Sequence, residues 1–177
     1  MKVRTDEGFT LIELLIVVAI ISVIAAVAAP GLMRMRMTGN EASAITSLAA
    51  TRAAQVSYSA ACGNGGFATS YLILGMPVGT GQGFITADLG SSVTPSKSGY
   101  NFTMTEGAAG ITPGVTDCHP TPNPVGAGFY ATAVPTSPGT TGTRAFAVNA
   151  NMTLYQDTSG TPPPEPLTIG GTVTTVQ

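Results

Sequence analysis

Charge is scarce in this chain, 9% of its 177 residues, where soluble domains carry about 25%. Tryptophan is absent, aromatic residues make up only 6%, and there are one histidine and two cysteines. So few bases and nucleophiles leave little material for an active site. An enzyme would have to work with Asp, Glu, Ser or Thr alone, so no enzymatic activity is expected and binding or assembly is the expected class. Seven Lys+Arg stand against nine Asp+Glu, which leaves no basic surface to neutralise a phosphate backbone. No direct nucleic acid binding is expected. From Gly63 onward only Lys97 and Arg144 oppose Asp88, Glu106, Asp117, Asp157 and Glu165, so that region is acidic.

What the chain does have is one long apolar run. After the short charged stretch MKVRTDEG, residues 9–29 read FTLIELLIVVAIISVIAAVAA, with Glu13 the only charge. As a helix this run spans about 32 Å, enough for a hydrocarbon core of about 30 Å. A secretory signal peptide would use Lys2 and Arg4 as its positive flank and cut near Ala28, at Ala26-Val27-Ala28, releasing a soluble binding protein. Against that, Glu13 interrupts the apolar run and Pro30 crowds the cut. An ordinary membrane anchor is a second reading, but it strands Glu13 without a partner in its own span. Lys2 and Arg4 on one side are matched by Arg34 and Arg36 on the other, so the positive-inside rule sets no orientation.

Gly8-Phe9-Thr10-Leu11-Ile12-Glu13, after a short polar leader and ahead of an apolar stretch to Pro30, resembles the processing signature of type IV prepilins and type II secretion pseudopilins. The resemblance covers roughly the first 30 positions. It implies that a prepilin peptidase removes residues 1–8 as a leader by cutting after Gly8. It also implies that Phe9 becomes an N-methylated amino terminus and that the chain polymerises with copies of itself. Further implied partners are an assembly ATPase and an inner-membrane platform protein, with the membrane holding the precursor. The location is then the inner membrane first and an extracellular pilus filament afterwards. A pseudopilin working as a periplasmic piston is the alternative within the same resemblance.

Physical chemistry gives a reason to keep Glu13. An ionised carboxylate in a low-dielectric surrounding costs several kcal/mol unless it meets an opposite charge, and a cut at Gly8 creates one, the Phe9 ammonium. The two are four residues apart and can pair along one helix. In the resembled family a neighbouring subunit's terminal amine satisfies the carboxylate and sets the step along the filament. The bland role is a complement to the helix dipole, worth about 0.3–1 kcal/mol.

Residues 30–62 read as an amphipathic second half of the helix, with Ile45, Ala49, Ala53, Val56 and Ala60 as its apolar stripe and Glu41, Arg52, Gln55 and Ser59 away from it. Pro30 removes a backbone donor and clashes with the Ala26 carbonyl, so a kink or locally melted stretch is expected there. Gly63-Asn64-Gly65-Gly66 ends the helix. Residues 63–99 are expected to form an irregular connector, pinned to the core by Tyr71-Leu72-Ile73-Leu74. Residues 100–177 are expected to form an antiparallel sheet domain. Its strands are placed at Tyr100–Thr105, Gly128–Val134, Arg144–Asn149 and Met152–Asp157, with another in the tail from Leu167 to Val176. Phe102, Phe129, Tyr130, Phe146 and Leu154 are the expected core. The fold class is α+β, a long N-terminal helix on a small antiparallel sheet, which matches the layout of the resembled family.

Cys62 and Cys118 are the only thiols, and an oxidising compartment favours a disulfide between them. Metal binding by Cys118-His119 is the lesser rival, since two adjacent ligands make a poor site alone. No metal and no cofactor are expected. The sequons at Asn101 and Asn151 read as ordinary strand or turn residues, and the scattered acids form no tight calcium loop.

Overall fold

The computed structural model describes residues 8–176, so all of the expected leader except Gly8 lies outside the described residues. Two compact units divide the chain, residues 1–36 and 37–177. The architecture is α+β, a long N-terminal helix followed by an antiparallel sheet.

In the first unit, helix α1 (Leu11–Ala61) begins; its 51 residues continue into the second. Every described residue up to Arg36 is exposed. The apolar side chains follow that rule, with Leu11 81% and Val27 78% exposed. Valine and isoleucine are poor helix formers in water. Lipid or packed protein, which offers the backbone no hydrogen bonds, makes the helix the one way for such a segment to satisfy itself. Among the described residues this is the one helix long and apolar enough to cross a membrane. Pro30 lies inside α1, and every residue around it is helical. The melted stretch expected at Pro30 is therefore not found. The fixed φ of proline is itself helical, so the loss of one N–H bond does not stop the flanking turns.

In the second unit the remainder of α1 buries Glu41, Ala44, Ser47, Leu48, Thr51, Ala54, Gln55 and Tyr58. This face differs from the expected stripe, for Val56 is 51% exposed and Ala53 and Ala60 are also exposed. The buried polar members of the true face find partners. Gln55 grips the backbone of Ala68, donating from Nε2 to its carbonyl at 2.8 Å and accepting its N–H at 2.9 Å. Thr51 shares a 3.1 Å hydrogen bond with the Tyr71 hydroxyl. Glu41 accepts from Thr143 N and Oγ1 at 2.8 and 2.9 Å and from Arg144 Nε and Nη2 at 2.8 and 2.6 Å. Burial raises the pKa of Glu41, but these donors outweigh it and hold the carboxylate below its ordinary value.

Segment 63–99 is more regular than expected. It carries α2 (Tyr71–Gly75), capped by Ser70, then α3 (Ala87–Gly90) and the short strand β1 (Ser96–Lys97). Tyr71, Ile73 and Leu74 are buried, so the apolar island does enter the core. Helices α2 and α3 meet backbone to backbone. A Cβ on Gly75 would lie 2.1 Å from the Gly90 carbonyl oxygen, so glycine is required for that approach.

The main sheet has six strands in the order β1-β2-β5-β6-β7-β8. They are β2 (Tyr100–Thr105), β5 (Tyr130–Pro135), β6 (Ala145–Asn149), β7 (Leu154–Asp157) and β8 (Val173–Thr175), all antiparallel to their neighbours. Pairing of Phe102 with Ala133 and of Ala133 with Phe146 puts one row of side chains on one face. Tyr100, Phe102, Met104, Phe146 and Val148 join Leu48 and Tyr58 of α1 in a single core. Of the residues expected there, Phe102, Phe129 and Phe146 are buried, while Tyr130 and Leu154 are only partly so. Strand β6 is buried along its whole length. On its other face are Ala145 and Ala147, and the Tyr130 hydroxyl donates to the Pro163 carbonyl of the covering segment. A separate two-stranded sheet, β3 (Ile111–Thr116) with β4 (Pro124–Gly126), is absent from the sequence reading.

Candidate functional site

Gly8 and Phe9 precede the helix and are exposed, Phe9 at 89%. Thr10 and Glu13 then form a reciprocal cap. The Thr10 N–H donates to Glu13 Oε2 at 2.9 Å and the Thr10 hydroxyl donates to the same oxygen at 2.6 Å. The Glu13 N–H donates back to Thr10 Oγ1 at 3.3 Å. This is a capping box, Thr at the N-cap and Glu three residues on, which satisfies two amide groups that the helix cannot. Thr10 entered the sequence analysis only as part of the signature, and its capping role was missed although the Thr-x-x-Glu spacing is the signal that could have found it. Glu13 is thus the one charge of the span and is already oriented by its own chain. Its position among exposed Leu11, Ile12, Leu14 and Leu15 leaves it available to a second, cationic partner.

Cys62 and Cys118 are brought together as the sequence reading expected, joined by a disulfide that closes 56 residues. The chain-entropy estimate gives about 4 kcal/mol for a loop of that size. Cys62 is buried at the end of the helix and Cys118 is exposed. Around the bond lies a cluster that the sequence did not announce. Asp117 Oδ2 accepts from the Tyr58 hydroxyl at 2.9 Å, from His119 Nδ1 at 2.7 Å and from Asn123 Nδ2 at 3.0 Å. Its Oδ1 accepts the Asn123 N–H at 2.8 Å and the His119 N–H at 3.2 Å. Burial alone would raise the Asp117 pKa, but the Asn123 amide, His119 and the other donors bring it down to about 2. The Tyr58 phenol is pushed well above its ordinary value, first by burial and then by the Asp117 charge. The adjacent pair Cys118-His119 was the only hint of this cluster in the sequence, because Tyr58 lies 59 residues from Asp117.

The six residues of the Gly8–Glu13 signature are contiguous, and the cluster around Asp117 belongs to the second unit. Residues 3–29 match the family model described as the prokaryotic N-terminal methylation motif. No curated protein and no solved structure matches the chain significantly. The motif implies processing by a prepilin peptidase and assembly into a pilin-type polymer, and with the apolar helix it fits a membrane-anchored precursor. Residues 3–29 thus carry the N-terminal signature of type IV pilin and pseudopilin precursors.

Proposed function

We propose that the chain is the structural subunit of an extracellular type IV pilus and performs no chemistry of its own. The observation that carries this reading is the exposed apolar helix beneath the methylation motif, whose one charge is a pre-oriented Glu13. The precursor rests in the inner membrane, is cut between Gly8 and Phe9, and is methylated on the new amino group. The segment Phe9–Ala29 then passes from lipid into a bundle of identical helices. Its apolar surface is covered before and after transfer, so burial adds little. Register comes from the Glu13 charge meeting a neighbour's terminal amine and from close packing through Ala19, Ala25, Ala26 and Ala28. Extraction from lipid requires work from outside the chain, which falls to an assembly ATPase and a platform protein.

In support of a pilus subunit over a secretion pseudopilin, three of the scattered acids of the second unit have partners within their own chain. Asp88 pairs with Lys97 at 2.7 Å, Glu165 accepts the Ala108 N–H at 2.6 Å and Asp157 accepts the Ser159 N–H at 2.7 Å. The disulfide supports a final location outside the cytoplasm. The test is intact mass and N-terminal sequencing of a sheared cell-surface fraction, imaged by negative stain. A chain starting at methylated Phe9 in abundant thin filaments is expected. Recovery only in membranes, with a secretion defect in the deletion strain, would replace the pilus by the pseudopilin. A soluble chain starting near Ala29 or Pro30 would overturn both.

A further inference from the structure

We propose that reduction of the Cys62–Cys118 bond converts this junction into a binding site for a zinc-class divalent cation, held by Cys62, Cys118, His119 and Asp117. The ligand atoms of Cys62, Asp117 and His119 already lie within 4.8 Å of one another, and all three residues are buried. Cys62 Sγ is 3.9 Å from His119 Nδ1, and Nδ1 is 2.7 Å from Asp117 Oδ2. Bonds of about 2.3 Å to sulfur and about 2.0–2.1 Å to nitrogen and oxygen place tetrahedral ligands about 3.3–3.8 Å apart, the longest edge lying between the two sulfurs. Those two edges need shifts of about half an ångström and the longest separation among Cys62, Asp117 and His119 must contract by about 1 Å, while Cys118 joins them as the fourth ligand only when the opened bond lets its sulfur move to about 3.8 Å from that of Cys62.

The surrounding bonds are those a metal centre requires. An ionised Asp117 can only accept, so a proton held by Nδ1 lies between the ring and the carboxylate, and the cation takes that proton's place. The other ring nitrogen, Nε2, faces the Met76 carbonyl at 3.4 Å, the kind of backbone partner that fixes the ring of a metal-bound histidine. The Tyr58 hydroxyl and Asn123 Nδ2 orient Asp117 Oδ2, and the Asn123 N–H holds Oδ1. The Cys118 N–H points at Cys62 Sγ from 3.2 Å, a donor that supports a thiolate. Two sulfurs, one imidazole and one carboxylate in a tetrahedral arrangement select zinc over calcium or magnesium.

Bond and cation are alternatives. Opening the disulfide takes two electrons and two protons from a dithiol, which becomes a disulfide, and cation binding then displaces the two thiol protons. Closing runs the other way: the two thiolates pass two electrons to a disulfide-bearing oxidant, their own bond forms and the cation leaves. The helix end is thus tied to loop 117–123 in the newly made, reduced chain as well as in the oxidised one. The proposal is independent of the pilus reading.

The test uses the full chain in detergent micelles, reduced with a phosphine and titrated with cobalt(II) and then with zinc(II) against a chromophoric chelator. The reduced chain is expected to bind one cobalt with thiolate charge-transfer bands and the intense visible bands of a tetrahedral ion. Zinc should displace it, and the oxidised chain should bind at least about 100-fold more weakly. His119→Gln and Asp117→Asn should each weaken zinc by about 10–100-fold. A reduced wild-type chain without the tetrahedral cobalt spectrum overturns the proposal. So does binding that is unchanged in both variants, since two cysteines alone would then hold the ion.

Discussion

One helix serves two regions of this molecule by opposite rules. Up to Arg36 every described residue is exposed, the apolar ones included. Beyond it the same helix buries Glu41, Thr51 and Gln55 while leaving Val56 half in solvent. In the first region the described residues of the chain give the apolar side chains no cover. In the second the helix answers to its own sheet and loops, and there a polar side chain with a fixed partner outranks an apolar one without. Hydrophobicity alone marks the first kind of surface and misreads the second.

The comparison can be broken most decisively at its start. Gly8→Ser should block maturation outright, visible as an unprocessed intact mass, whereas no effect on the mass would remove the proposed cut. Glu13→Ala should leave cleavage intact and lower filament yield at least about tenfold, on the order of 1.4 kcal/mol or more per contact. Normal filaments would take Glu13 out of assembly. In the second region, Cys118→Ser should cost about 4 kcal/mol, read from chemical denaturation of the oxidised wild type beside the variant. Gln55→Ala should cost about 2 kcal/mol because it strands both backbone groups of Ala68, while Val56→Ser, one residue away, should stay within about 0.5 kcal/mol. If the two costs were reversed, the buried face would be the one that hydrophobicity suggested.

Acid tests the second region through its own depressed carboxylates. Asp117 falls from its ordinary 3.8 to about 2 in the folded chain, so its stabilisation is complete above its unfolded pKa. It is lost as pH falls through the folded value. The body should lose about 2 kcal/mol between pH about 4 and pH about 2, and Glu41, shifted in the same direction, adds to the loss. Equilibrium unfolding at stepped pH measures it, and Asp117→Asn should flatten the profile.

What could be read in advance was what is local. Tyr100–Thr105 alternates buried and exposed without exception, so β2 was visible from period alone. The Gly8–Glu13 signature is contiguous and was visible for the same reason. Strands β3 and β4 were not, because Ile111–Thr116 contains Pro113 and Gly114 and shows both faces to solvent, which leaves no alternation to see. The buried face of α1 was misplaced because its polar members are satisfied from afar. Glu41 reaches Thr143 across 102 residues, and Gln55 finds Ala68 beyond the helix end. Alanine, abundant on every side of the helix, could not say which side faces inward. The cluster around Asp117 was hidden in the same way, with Tyr58 supplied by a distant element.

The Glu41 clamp has a mechanical meaning. Any pull on the helix passes into the sheet domain at Asn40 and Glu41, where the helix holds Thr141, Thr143 and Arg144 by side-chain bonds. Most of those bonds converge on one carboxylate, whose guanidinium partner is itself braced on Gln156 of the next strand. Load entering at that point is divided among several bonds and two strands at once, so the joint resists as a unit and does not peel open one bond at a time.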